Sequence, residues 1–229
     1  MIKETLPTLK ALNYWTLKQK ILDHTTRKAS TIQLLQRIDI YDNASGRLVK
    51  STGTMKSHSF VMQFLQILEG LIAHSYGDVP DQISTLDTSN TSRLTPGLGI
   101  SNSTVCCVEA PANTSLYGIQ IGTGTTAPAT TDYAVQTIIA HGVGASKMQW
   151  GACGVSSAAV VGANVDLTIT RAFVNSSGGA ITIREITLVG SEVYTSTTQG
   201  YFCLSRDAVN QAVANAQTAV VTYVIRTTV

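Results

Sequence analysis

Charge is scarce in this chain. Only 13% of its 229 residues are Asp, Glu, Lys or Arg, about half the roughly 25% usual in soluble domains. A free monomer relies on surface charge for solubility, so much of this surface is expected to lie against other protein. Long apolar runs are also missing. No stretch reaches the ~18 residues of a spanning helix, so no membrane segment is expected. No apolar stretch follows the first lysines, which argues against a signal peptide. Cysteine is limited to Cys106, Cys107, Cys153 and Cys203, with no C-x2-C spacing beside a histidine. That argues against zinc and for buried free thiols kept in a reducing compartment.

The constellations of catalysis are missing too. There is no G-x-S-x-G. His24, His58, His74 and His141 are scattered, with no two at i, i+3 or i, i+4. His58 and His74 stand at opposite ends of one expected helix. Asp and Glu are isolated rather than paired, which disfavours glycosidase chemistry. The neighbours Arg184–Glu185 and Arg206–Asp207 are expected to be structural ion pairs or guards of a strand edge. These observations together predict no enzyme, no metal and no cofactor. Five N-x-S/T sequons, at Asn43, Asn90, Asn102, Asn113 and Asn175, are what chance yields in a chain so rich in Ser and Thr.

What is present is apolar and β-forming. Hydrophobic residues make up 44%, enough for a sizeable core, and the Thr/Val-rich composition favours strands. The net charge of +2 is uneven. Residues 1–56 hold ten basic against four acidic residues, net +6, and residues 57–229 hold six against ten, net −4. The basic segment includes Lys18, Lys20, Arg27 and Lys28. No aromatic residues interleave these charges as in a nucleic-acid surface; the segment is expected to be a solvated helix and hairpin or, as the functional alternative, a docking surface for an acidic protein face.

Three segments follow. Residues 1–56 read as a basic arm: a helix over 9–23, then two strands around the Asp42–Gly46 turn. Residues 57–80 read as an apolar amphipathic helix, clearest over 58–75. Phe60, Phe64, Ile67, Leu68, Leu71 and Ile72 follow the helical period, with Ser57 or Ser59 as cap. Val61, Met62 and Leu65 widen its apolar stripe, so the helix is either the lid of its own sandwich or pressed on a neighbouring subunit, with Phe60, Phe64, Leu68 and Leu71 the candidate assembly residues in the second case. Residues 81–229 read as a β-sandwich of jelly-roll type. Its strands are expected near 82–86, 104–109, 117–122, 146–156, 164–175, 180–189, 200–206 and 218–228. In "ITIREITLVG" the apolar phase shifts between Ile183 and Ile186, which predicts a bulge at Arg184–Glu185. "NSSGG" predicts a hairpin turn with Gly178 and Gly179.

"GTGTTA" (122–127) fits the dinucleotide fingerprint G-x-G-x-x-A. It follows a strand, but Pro128-Ala129-Thr130-Thr131-Asp132 comes where a phosphate-cradling helix is needed, and no ribose-binding acid stands about twenty residues on. Gly122 and Gly124 are expected instead to permit positive φ in a tight structural turn. Thr130, Thr131 and Asp132 are expected to cap a short turn over Asp132–Val135.

Five stretches resemble one family. They are "SFVMQFLQIL" (59–68), "GIQIGTGTTAPATTDYAVQTIIAHG" (118–142), "MQWGA" (148–152), "ITRAFVNSSGGAITIREITLVG" (169–190) and the pair "LSRDAV" with "AQTAVVTYVIRTTV" (204–209, 216–229). In this order they resemble a family of structural proteins of the tailed-bacteriophage virion, over roughly residues 40–229. The family often has Gly where Thr187 and Ala216 stand here, so the turn at Ala216 is made without glycine. The resemblance implies a structural part of the particle in the tail, baseplate or neck or on the capsid. It implies assembly with other virion proteins as a symmetric homo-oligomer in the host cytoplasm, without catalysis or cofactor. The alternative is a receptor- or carbohydrate-binding module on the virion surface, with a host glycan as partner. Trp150, Tyr117, Tyr133, Tyr194, Tyr201 and Tyr223 are the aromatics available for it, dispersed along the expected strands.

Overall fold

In a computed structural model the described residues are 31–57, 60–73, 83–95, 106–193 and 199–228. The expected helix over 9–23, and Lys18, Lys20, Arg27 and Lys28, lie outside them. The described chain is mainly β, with antiparallel ladders throughout. The strands are β1 (Thr31–Asp42), β2 (Leu48–Ser51), β3 (Met55–Lys56), β4 (Ile83–Leu86), β5 (Ser92–Thr95) and β6 (Gly118–Gly122). Then come β7 (Gln149–Val155), β8 (Ala159–Val161), β9 (Asn164–Asn175), β10 (Ile181–Val193), β11 (Gln199–Val213) and β12 (Gln217–Thr228). One described helix, α1 (Met62–Ala73), lies between β3 and β4.

The large sheet runs β2-β1-β12-β9-β7, with β3 also on β1 and β8 also on β9; a second sheet runs β11-β10-β6, and β4 pairs with β5. β1 pairs with β12 along its whole length, Thr31 opposite Thr228 through Asp42 opposite Gln217. The described part of the N-terminal segment is therefore built into the central sheet rather than standing off it.

Alternation explains the core. Leu34, Ile38 and Ile40 on β1, Val221 and Tyr223 on β12, and Ile169 and Phe173 on β9 each fall two or four apart, so they share the inward face. They join one continuous cluster with Ile119 and Ile121 on β6 and with Ile181, Ile183, Ile186 and Leu188 on β10. The last four need a phase change. The β10–β11 register shifts between Ile183 and Glu185, which is the predicted bulge, and it returns Ile186 and Leu188 to the core side.

The hairpin turns use different chemistry. Gly178 adopts φ +85 with nothing near it, while Asn175 Nδ2 donates to the carbonyls of Gly179 and Val213. Ala216 holds φ +61 without being glycine. Its N–H donates to the Asn175 carbonyl and its own carbonyl accepts from the Asn43 amide, so neighbouring backbone fixes it there. The expected strand at 104–109 is not formed over its described part. Cys107 makes only an isolated bridge to Ser191, and Cys106 before it takes φ +51. Strands β5 and β8 were not expected. Both are short, and their residues alternate too briefly to mark a face.

α1 begins later than the periodicity predicts, and Ser57 does not cap it. The Ser57 hydroxyl donates to both carboxylate oxygens of Asp207, at 2.8 and 3.0 Å. The Met62 amide at the helix start instead donates to the Thr130 carbonyl. The helix is thereby tied at its first turn to the loop after β6.

Candidate functional site

That loop, residues 123–138, is the most heavily anchored irregular segment among the described residues. Its anchor is Glu185, which directly follows the β10 bulge and is wholly buried. Glu185 Oε1 accepts the amides of Gly124 and Thr137, both at 2.9 Å. Oε2 accepts the Gln136 amide at 3.0 Å and Arg206 Nε at 2.9 Å. One carboxylate thus closes the base of the loop, and a guanidinium balances its charge.

Arg206 extends the network. Its Nη1 donates to Asp132 Oδ2 at 2.8 Å and its Nη2 to the Thr126 carbonyl at 3.1 Å. Asp132 Oδ2 also accepts the Ala129 amide, so it closes the turn before it rather than capping the expected one over Asp132–Val135. Desolvation opposes the charge on Arg206, but Asp132 and Glu185 outweigh it and hold its pKa above the ordinary value. The buried cation stays charged because two carboxylates face it.

This network corrects the expected neighbour pairing. Successive strand residues point to opposite faces, so Arg206 and Asp207 part company. Arg206 faces the loop. Asp207 faces the core, where the Tyr223 hydroxyl donates to it at 3.0 Å. Burial and the adjacent Asp207 charge push the Tyr223 phenol well above its ordinary pKa. Arg184, at the bulge, is exposed, and Glu185 takes Arg206 in its place.

The two glycines also act differently from expectation. Neither Gly122 nor Gly124 takes positive φ. Gly122 ends β6 opposite Glu185, and a Cβ there would stand 2.5 Å from Glu185 Oε1 and 2.6 Å from the Thr137 carbonyl. At Gly124 a Cβ would meet the same Glu185 oxygen. Both positions are glycine so that the carboxylate can reach the backbone, not to turn the chain.

A second buried cation stands in the core. Arg171 on β9 has no carboxylate partner among the described residues. It donates to five carbonyls: Gly151, Tyr117, Ile119, Pro111 and Thr114, at 2.5 to 3.3 Å. Its guanidinium lies 4.8 Å from the Trp150 ring centre. Burial pulls its pKa down, yet the five oxygens and the ring hold a cation in place. It fastens the segment before β6 to the large sheet.

The expected assembly residues divide. Phe60 and Phe64 stack at 3.9 Å and pack against the core. Leu68 is half-buried, and Leu71 lies within α1, with only its backbone described. Val61 and Ile67 are buried, whereas Met62 and Leu65, three apart, face outward at 45% and 61% exposure. Among the helix side chains described, the exposed large apolar ones are therefore Met62 and Leu65 rather than Phe64. Exposed apolar residues recur at the margins of the large sheet: Leu48 and Val49 on β2, and Val160 and Val161 on β8. Sequence reading overlooked Glu185, Arg206 and Asp132 as a unit. The available signal was a pair of charges inside two otherwise apolar strands.

No metal-ligand cluster occurs among the described residues, and none of their helices is long and apolar enough to cross a membrane. No protein-family model, curated protein or solved structure matches the chain.

Proposed function

We propose that the chain is a structural protein of a tailed-phage particle that works by protein–protein assembly. The ordered resemblance of five sequence stretches motivates the reading. The observation that carries it is the placement of apolar residues at both margins of the large sheet. β2 is its edge strand, with Leu48 and Val49 exposed. β8 lies at the far margin, with Val160 79% exposed. Free-standing proteins blunt such edges with charge, proline or a covering element, because open edges recruit strands from other chains. Here β2 carries one exposed lysine, Lys50, beside Leu48 and Val49, and β8 carries no charge at all, which suits a repeated contact with identical neighbours.

In this reading the two larger sheets form an antiparallel β-sandwich of jelly-roll kind. The basic N-terminal arm, with Lys18, Lys20, Arg27 and Lys28, docks on a neighbouring virion protein. Met62 and Leu65 add the helix to the contact surface. The loop after β6 is a locked structural element, and no nucleotide is bound there. Quantitative mass spectrometry of purified particles tests the assignment. The expected result is a fixed copy number per particle. Absence of the chain from mature, infectious particles would overturn it.

A further inference from the structure

A cleft of about 550 Å³ opens beside the anchored loop, lined by Thr88 from the β4–β5 turn and by Thr126, Asp132, Tyr133 and Gln136, with Ala134 and Val135 completing it. We propose that this cleft binds a neutral saccharide, with Tyr133 as the stacking surface and Asp132 and Gln136 as hydroxyl partners. The inference stands on the cleft alone and does not depend on the virion reading.

The lining has the three kinds of group that a sugar requires. A pyranose offers apolar C–H faces and a rim of hydroxyls, each a donor and an acceptor. Tyr133 supplies the aromatic surface and is 36% exposed. Asp132 supplies the acceptor. Its Oδ2 is committed to Arg206 and to the Ala129 amide, and its Oδ1 takes no hydrogen bond from the described residues. An ionised carboxylate accepting a hydroxyl makes a short, charge-assisted bond. Gln136 supplies the donor. Its Oε1 accepts the Thr126 amide at 3.3 Å, which leaves its NH2 group to give two hydrogen bonds. The Thr88 and Thr126 side chains add hydroxyls at the margin.

Charge selects the class. No lysine or arginine lines the cleft, and Arg206 behind it is already matched by Glu185 and Asp132. Two carboxylates against one guanidinium leave the site anionic, which repels phosphate, sulfate and acidic sugars. The lining is also too polar for an acyl chain. Neutral polyhydroxylated ligands remain.

Rigidity makes weak contacts useful. Glu185 holds the amides of Gly124, Gln136 and Thr137, so the loop bearing Tyr133 and Gln136 is fixed before any ligand arrives. Binding then pays little for ordering.

Saturation-transfer NMR on the full chain tests the proposal. The probes are glucose, galactose, N-acetylglucosamine and their β-linked disaccharides, with sialyllactose as the acidic control. At least one neutral sugar is expected to bind with a Kd on the order of 1–10 mM. Tyr133→Ala is expected to weaken it ~10-fold, and Gln136→Ala less. Val143→Ala, exposed and outside the cleft lining, should leave binding unchanged. Tyr133 and Gln136 are exposed, so these variants fold, and matching unfolding midpoints check that they do. Three results overturn the proposal: no neutral probe binding at 20-fold above that range, binding unaffected by Tyr133→Ala, or stronger binding of the acidic control.

Discussion

Arg206 Nε donates to Glu185 Oε2 at 2.9 Å, and both side chains are entirely shielded from solvent. Removing one member of such a pair leaves the other charge buried and uncompensated, at a cost of about 3–5 kcal/mol. Arg206→Ala and Glu185→Ala are both expected to lose that much stability in urea unfolding. They differ in what happens to the loop. Glu185→Ala also frees the amides of Gly124, Gln136 and Thr137, so their hydrogen exchange accelerates strongly. Arg206→Ala keeps those three bonds, and the amides stay more protected.

The glycines separate room from conformation. Gly122→Ala places a Cβ 2.6 Å from the Thr137 carbonyl, and backbone yields little, so a loss of about 3 kcal/mol is expected. Gly178→Ala meets nothing but sits at φ +85, so about 1–2 kcal/mol is expected. Gly179→Ala meets neither obstacle, and its midpoint should stay near that of the parent protein. Ala216→Gly relieves a φ of +61 and should raise stability by about 1 kcal/mol. Chemical denaturation of the four variants checks the order.

Glu192 is buried, its Oε2 finds no partner among the described residues, and burial raises its pKa to about 7 from the ordinary 4.5. A carboxyl raised on folding is protonated in the native chain while the unfolded chain has already released its proton. Its contribution to stability is complete below about pH 4.5 and is lost as pH rises through about 7. Glu192→Gln removes this dependence. The variant is expected to match the parent protein at pH 4.5 and to exceed it at pH 8 by roughly 2–4 kcal/mol. Equal slopes of stability against pH in the two proteins would contradict this.

Arg171 makes five carbonyl bonds with a planar fork that lysine cannot copy. Arg171→Lys keeps the charge yet leaves several buried carbonyls without donors, at ~1–3 kcal/mol each when unmet. A loss of about 3 kcal/mol is expected. Trp150 lies beneath the guanidinium, so its near-ultraviolet circular dichroism should change as well.

The sequence showed the β class, most strands, the hairpin turn at Asn175–Gly179 and the bulge after Ile183, because each leaves a local mark. Alternation marks a face, and a phase slip marks a bulge. The partner of Glu185 left no such mark. Arg206 is 21 residues away, and only the β10–β11 register brings the two strands together. The adjacent Arg206–Asp207 pair looked like a unit along the chain, but the pleat sends the two to opposite faces. The cleft was illegible for the same reason: Thr88 and Tyr133 meet through folding alone. The glycine loop was half legible. Pro128 marked a segment with no helix after the strand, but the need for space rather than positive φ at Gly122 depends on a carboxylate 63 residues further on.

Assembly is the central claim, and Leu65 gives a cleaner probe than Phe64. Phe64 stacks on Phe60 and supports the fold, whereas Leu65 is 61% exposed, so Leu65→Asp should change stability by no more than about 0.5 kcal/mol. Sedimentation velocity of the full chain and of Leu65→Asp across a wide concentration range is the direct measurement. One discrete symmetric oligomer is expected for the parent chain, and a shift toward monomer for Leu65→Asp with its unfolding midpoint retained. A parent chain that stays monomeric at every concentration would contradict it.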